Sequence, residues 1–382
     1  MPQRAAVTTL RLTDFRNYAR LALDLDARHV VLAGDNGAGK TNLIEAVSLL
    51  APGRGLRRAT LGEMARLAGD GSFAVAAVIG SPDGETRIGT GLALGTDPDD
   101  DRARVIRIDG VPARRAEDMV EHIRVLWLTP AMDGLFTGPA AERRRFLDRL
   151  VGTIDPDHGA RVNAFEKAMR GRNRLLEDAR PDRTWLDAIE AQMAEMAVAI
   201  AAGRVETVGC LAGLIAEARD DASPFPHAEL ALAGQIEADL SHGAGAGSAE
   251  DGYRRILHDA RPRDAAAGRT LDGPHRSDLA VSHGPKAMPA AQSSTGEQKS
   301  LLLGLVLAHA RLVGRLTGQA PVLLLDEVAA HLDHRRRAGL FDALDHLGGQ
   351  CWMTGTDAEA FVALGPRALV VEVRDGTVRP RG

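Results

Sequence analysis

The sequence predicts an α/β fold in which both chain ends build one sheet-based head and the middle supplies a helical insertion. Three observations predict it. Strand patterning with short apolar runs fills the N-terminal third. From about Ala140 to Arg219, apolar residues recur at three- and four-residue steps, as on one face of a helix. Strand patterning then returns in Pro321-Val322-Leu323-Leu324-Leu325, a continuous apolar run bounded by Pro and Asp. The expected division is a head formed by 1–140 and 270–382, with a helical lobe at 141–269.

Each element follows in order. Val7, Leu10 and Leu12, and then Leu21, Leu23 and Leu25, give the period-2 pattern of half-buried strands. His29-Val30-Val31-Leu32-Ala33 is a short buried strand directly before a glycine-rich stretch, and Asn42–Leu50 has helical spacing. Residues 72–112 read as short strands with Gly, Pro and Asp turns, among them Phe73–Ile79 and Val105–Ile108. Asp97–Asp101 is a solvated acidic turn, and Leu126-Trp127-Leu128 another buried strand. Phe146, Leu147, Leu150 and Val151 share one helix face; Trp185, Ile189, Met193, Met196 and Ile200 continue the spacing. One helix over 184–219 would run on the order of 50 Å. Ser223-Pro224-Phe225-Pro226 ends it, Ser241–Ser248 is a small-residue spacer, and Glu250–Ala260 is a last helix. Cys351–Met353 and Leu369–Val373 complete the strands.

Composition bounds the function. With 382 residues and 45% hydrophobic content, the chain holds two domains and a sizeable core. A net charge of −5 argues against a surface that is basic all over, and leaves room for a local basic face. Aromatics at 3% argue against rows of stacked bases. Two separated cysteines, Cys210 and Cys351, form no disulfide framework and fit a reducing compartment. Met1–Phe15 lacks an apolar segment, and the apolar stretch Leu301–Ala308 is too short to span a bilayer. The expectation is a cytoplasmic protein with no membrane partner.

Gly34-Asp35-Asn36-Gly37-Ala38-Gly39-Lys40-Thr41 fits Gly-x4-Gly-Lys-Thr between a strand and a helix, where phosphate binding needs it. Glycines let backbone N–H groups surround phosphate, and the helix N-terminus adds partial positive charge. Lys40 is expected on the β- and γ-phosphates of ATP and Thr41 on Mg²⁺. Leu323-Leu324-Leu325-Asp326-Glu327 is a buried strand ending in two acids: Asp326 for Mg²⁺ through water, Glu327 to polarise the attacking water. Ser293-Ser294-Thr295-Gly296-Glu297 opens a helix before that strand. It suits a grip on the γ-phosphate held by a second copy, and Ser294-x-x-Glu297 is equally a capping box. Asp333 closes Ala329-Ala330-His331-Leu332-Asp333, a loop expected at the dimer interface. Thr356, after the strand at 351–353, stands where a transporter-type head has a histidine, and hydrogen-bonds without titrating. That predicts slow turnover. Together these motifs specify an ABC-type P-loop ATPase head.

Further segments narrow the group: Phe15-Arg16-Asn17-Tyr18 before the loop, Asn42 and Glu45-Ala46 after it, Gly138-Pro139 with Glu142-Arg143-Arg144-Arg145-Phe146-Leu147-Asp148, Arg172-Asn173 with Leu175-Leu176, and Gly273-Pro274-His275-Arg276-Ser277-Asp278. On these the chain resembles the RecF family within the SMC/Rad50-like group, from Leu12 to Val373. Ala131 and Ser277 stand where the family tends to have acids. The resemblance implies ATP-dependent homodimers on gapped DNA or duplex–single-strand junctions, weak DNA-stimulated ATP hydrolysis, and action with RecR and RecO to load RecA. It also extends the nucleotide-binding set to Arg16, Asn17 and Asn42.

Arg143, Arg144 and Arg145, the group around Arg172, and Arg335 with Arg336 are the densest basic clusters and the candidates for DNA phosphate. Successive helical residues spread over about 200°, so no triplet makes a patch alone. Two other classes are weighed: a transporter ATPase, which the insertion and Thr356 oppose, and a nucleotide-switched binding protein that hardly hydrolyses ATP.

Overall fold

The computed structural model describes residues 3–97, 103–178, 180–219, 224–329 and 332–381. The acidic run at 98–101, Ser223, and Ala330 and His331 of the expected interface loop lie outside them. The chain divides into two units. The first holds 1–133, 222–225 and 305–382, the second 134–221 and 226–304.

The first unit contains two six-stranded sheets. In one, the order is Thr377–Pro380, Ala368–Arg374, His29–Ala33, Cys351–Gly355, Val322–Leu325 and Val125–Leu128. All neighbours are parallel except the antiparallel Thr377–Pro380 edge. His29–Ala33, Val322–Leu325 and Cys351–Gly355 are buried at every position, as parallel strands covered on both faces must be. The other sheet is antiparallel, in the order Tyr18–Asp24, Ala6–Phe15, Phe73–Ser81, Gly84–Leu92, Arg104–Ile108 and Val111–Pro112. Phe73–Ser81 alternates buried with exposed, the one-sided pattern its sequence predicts. Helix Lys40–Ser48 joins the core of both sheets: Leu43, Ile44 and Val47 are fully buried among Leu10, Leu12, Val30, Leu32 and Val75.

A single side chain ties the sheet to the N-terminal strand. Gln350 is fully buried. Its Oε1 accepts from the Val7 N–H (2.9 Å) and Trp352 Nε1 (3.0 Å). Its Nε2 donates to the carbonyls of Val7, Asp26 and Arg28.

The second unit packs helices Ala140–Gly152, His158–Leu176, Arg183–Glu217 and Ala246–Asp259 with the shorter Gln235–Ser241 and Arg261–Ala267. Met193, Ala194, Ala197 and Ala201 of the 35-residue Arg183–Glu217 helix form its core with Phe165, Tyr253 and Leu257. It also has a small antiparallel sheet, Ala228–Ala233, Asp278–His283 and Met288–Pro289.

That sheet corrects the expected boundary. The sequence places residues 270–304 in the head, yet they belong to the helical unit. Asp278–His283 pairs over its whole length with Ala228–Ala233, and Thr270 bonds Arg172 and Asn173. Helices Arg183–Glu217 and Thr295–Thr317 are long and apolar enough to cross a bilayer, and both bury apolar residues in the protein.

Candidate nucleotide-binding site

The parallel sheet explains where the motifs meet. His29–Ala33, Cys351–Gly355 and Val322–Leu325 are neighbours running in one direction, so their carboxyl ends share an edge. Gly34–Thr41, Thr356 and Asp326-Glu327 each follow one of these strands. In open parallel sheets, ligands bind at that edge.

The loop is built around glycines that nothing else replaces. Gly39 caps helix Lys40–Ser48 at φ 112°, and a Cβ there would lie 2.6 Å from both the Asn17 amide and the Tyr18 hydroxyl. A Cβ on Gly34 would stand 2.1 Å from the Val373 carbonyl. Gly39 has no side chain to cap the helix, so the first N–H groups are left for an anion. Around the loop, Tyr18 donates to Gly39 O (3.1 Å), and Asn42 Nδ2 donates to Asn17 Oδ1 (2.7 Å). The Gly376 N–H donates to Ala38 O from the turn between the last two strands (3.3 Å).

Lys40 is buried, and its ammonium donates to Gly34 O (2.7 Å) and Asp35 O (2.8 Å). Burial draws its pKa below the usual lysine value, against the opposing pull of Glu327, Asp326 and Asp35. Asp326 accepts from Thr41 Oγ1 (3.2 Å) and Thr354 Oγ1 (2.7 Å). Glu327 sits at φ 54°, a left-handed conformation that costs a side chain roughly 1–2 kcal/mol. Its N–H donates to the Thr354 hydroxyl (2.8 Å), a bond worth about 1 kcal/mol net that offsets much of that cost. Thr356 is exposed and lines a cavity of about 650 Å³ with residues 34–38 and Asp357.

Other predicted residues are placed differently. Arg16 gives both sides of its guanidinium to the fully buried Glu45 and a third N–H to Glu63 O, so it carries a structural pair beside the loop. Asn17 and Asn42 do stand against the loop. Asp333 is the N-cap of helix His334–Leu347, accepting from the Arg336 N–H.

Three of the DNA candidates are corrected. Arg172 is fully buried and bonds Glu190 (2.8 Å), Asp264 (2.7 Å), Thr270 and Leu257 O, so no phosphate reaches it. Arg143 grips Asp278 with two bonds and donates to Gly138 O. Arg144 donates to Ser277 O, and burial lowers its pKa. Arg145 is exposed beside Glu142, Arg335 is exposed, and Arg336 pairs with Asp333. Ser277, where an acid was usual, is buried and donates to Glu237 (2.6 Å).

In the second unit, Ser294 precedes the 23-residue helix Thr295–Thr317, whose residues from Leu305 on belong to the first unit. The capping box is present: Ser294 Oγ accepts from the Glu297 N–H, and Glu297 accepts from the Ser294 N–H and hydroxyl. Lys286 beside Glu297 holds that carboxyl down at about 2, with the Ser294 bonds adding to the effect.

Sequence reading gave no role to Thr354. Its signal was a hydroxyl residue inside an otherwise apolar strand, a position that demands a polar partner.

Two layered sheets, a phosphate loop at the carboxyl edge of the parallel one, and an acidic pair on the neighbouring strand define an ABC-type P-loop ATPase head. A family model described as the RecF/RecN/SMC N terminal domain matches residues 6–371. The DNA replication and repair protein RecF of Mesorhizobium japonicum is 58% identical over 380 residues, covering 100% of this chain and 99% of that one. Its counterpart in Rhizobium leguminosarum bv. trifolii is 57% identical over 378 residues, covering 99% and 100%. Among solved structures, the recombination mediator protein RecF-ATPrS in the RecFOR pathway superposes with a TM-score of 0.85 at 22% identity, covering 100% of both chains. The Smc head domain with an extended coiled coil from Pyrococcus furiosus gives 0.54 at 16% identity, covering 99% and 96%. The chain belongs to the RecF family.

Proposed function

We propose that this chain binds ATP with Mg²⁺ and uses it to close a homodimer on gapped DNA or duplex–single-strand junctions, in recombinational repair and recovery of replication. The observation that carries the reading is the Lys40 ammonium resting on two loop carbonyls beside Thr41 and Asp326. Those carbonyls stand in for phosphate oxygens, which Lys40 would meet instead. Thr41 and Asp326 fit Mg²⁺: one hydroxyl and one carboxylate leave most ligand positions to phosphate and water, as this ion prefers. Bound there, Mg²⁺ would neutralise phosphate charge. Glu327 would polarise water, and Thr356 cannot take up a proton, which supports slow hydrolysis.

The signature Ser293–Glu297 of one molecule would close over the nucleotide held by Lys40 of another. Asp333 would sit near that interface. Arg145, Arg335 and Arg336 are the arginines proposed for DNA phosphate. Relatives named for DNA replication and repair, and the RecFOR pathway of the structural neighbour, support DNA, RecR and RecO as partners; RecA would be reached through them, in the cytoplasm. ATPase assays with and without gapped DNA test this. The reading expects slow turnover raised by DNA; fast turnover indifferent to DNA would overturn it. Thr356 also favours a second reading, a nucleotide-switched binding protein with almost no hydrolysis.

A further inference from the structure

The signature serine is not free in this structure. Its N–H donates to Glu297 Oε2 (3.1 Å), its hydroxyl donates to the same oxygen (3.0 Å), and its Oγ accepts from the Glu297 N–H (3.4 Å). Every group Ser294 would offer a phosphate is therefore satisfied internally. The carboxylate that satisfies them also places a negative charge where a γ-phosphate would arrive. Like charges there repel, and the exposed position screens the repulsion only in part.

The other oxygen of that carboxylate, Oε1, accepts from Lys286 Nζ at 2.5 Å. Lys286 lies on the turn Gly284–Lys286, close to the signature in sequence and in the same unit. It neutralises Glu297 and supplies a place to which the carboxylate can withdraw when Ser294 turns to a ligand.

We infer that Lys286 is a positioning residue for the in-trans site: by holding Glu297, it lets the Ser294 N–H and hydroxyl transfer from the carboxylate to the γ-phosphate of a second molecule. This rests on the dimer reading above. Without Lys286, the bare carboxylate keeps Ser294 and repels the phosphate. Removing the charge of Glu297 as well abolishes the need for Lys286, because glutamine still closes a capping box.

Sedimentation velocity over a series of ATP concentrations with Mg²⁺ tests this on the full chain, with thermal denaturation to confirm folding. Lys286→Met should raise the ATP concentration for half-dimerisation roughly tenfold, the size of one lost charge-assisted contact. The double variant Lys286→Met/Glu297→Gln should return to within about threefold of wild type. A Lys286→Met protein that dimerises like wild type, or a double variant as impaired as Lys286→Met, overturns the inference alone. A wild type that binds ATP and remains monomeric overturns the dimer reading and this inference with it.

Discussion

Thr354 donates its hydroxyl proton to Asp326 over 2.7 Å, and the same oxygen accepts the N–H of Glu327 at 2.8 Å. One buried hydroxyl thus orients the carboxylate proposed for Mg²⁺ and holds the strained backbone of the residue proposed to polarise water. Thr354→Val keeps the shape and removes both bonds. We expect hydrolysis to fall about 10–100-fold, as when an orienting partner of a metal site is lost, while nucleotide affinity changes far less. Single-turnover hydrolysis beside equilibrium ATP binding checks this; equal losses in both would show that Thr354 only supports the fold.

Arg172 joins Glu190 and Asp264 with no solvent access. Arg172→Met would take from the buried Asp264 its closest cation and from Glu190 one of its two arginines, Arg261 remaining on Glu190, at a cost of about 3 kcal/mol. Urea unfolding should show that loss. DNA affinity of the still-folded protein should be unchanged at low temperature, and a selective loss of DNA binding would restore Arg172 as a phosphate contact.

Gln350→Leu removes five hydrogen bonds and strands the Val7 N–H and the Trp352 indole N–H in the core. At about 1 kcal/mol net per bond, with more for each stranded donor, the variant should lose at least ~3 kcal/mol. A denaturation midpoint equal to wild type would contradict the role of Gln350 in tying the sheet to the N-terminal strand.

His29 is buried, and burial holds its imidazole below the usual histidine value, with Arg4 adding to the effect. Its Nδ1 accepts the Cys351 N–H at 3.1 Å, a bond that needs the unprotonated atom. The folded pKa is thus lower than the unfolded one, so protons favour the unfolded chain. The stability contribution is complete above about 6.5 and is lost as pH falls toward the folded value. Unfolding midpoints measured from pH 8 to 5 should fall on the acid side, and less steeply in His29→Asn. Identical slopes in the two proteins would exclude His29 as a source.

The reach of the sequence follows from how local each feature is. Gly34–Thr41, the run Val322–Leu325 and the long helix at 183–217 are written in consecutive residues, and all three stand where expected. Thr354, Gln350 and Arg172 take their roles from residues far along the chain, and no spacing rule reveals such partners. An arginine in a basic run reads the same whether it faces water or a buried Glu190, which is why the sequence alone offers Arg172 to DNA. The boundary at 270–304 differs for a related reason: nothing in the sequence pairs Asp278–His283 with Ala228–Ala233, and that pairing places the segment in the helical unit.

The central claim is that ATP joins two copies through Lys40 of one and Ser294 of the other. The most direct measurement is the mass of Ser294→Arg in solution, with ATP and Mg²⁺, beside wild type and Lys40→Ala. Wild type should become a dimer only with ATP. Lys40→Ala should bind no ATP, and Ser294→Arg should bind ATP and stay a monomer. A Ser294→Arg protein that still dimerises with ATP would contradict the account.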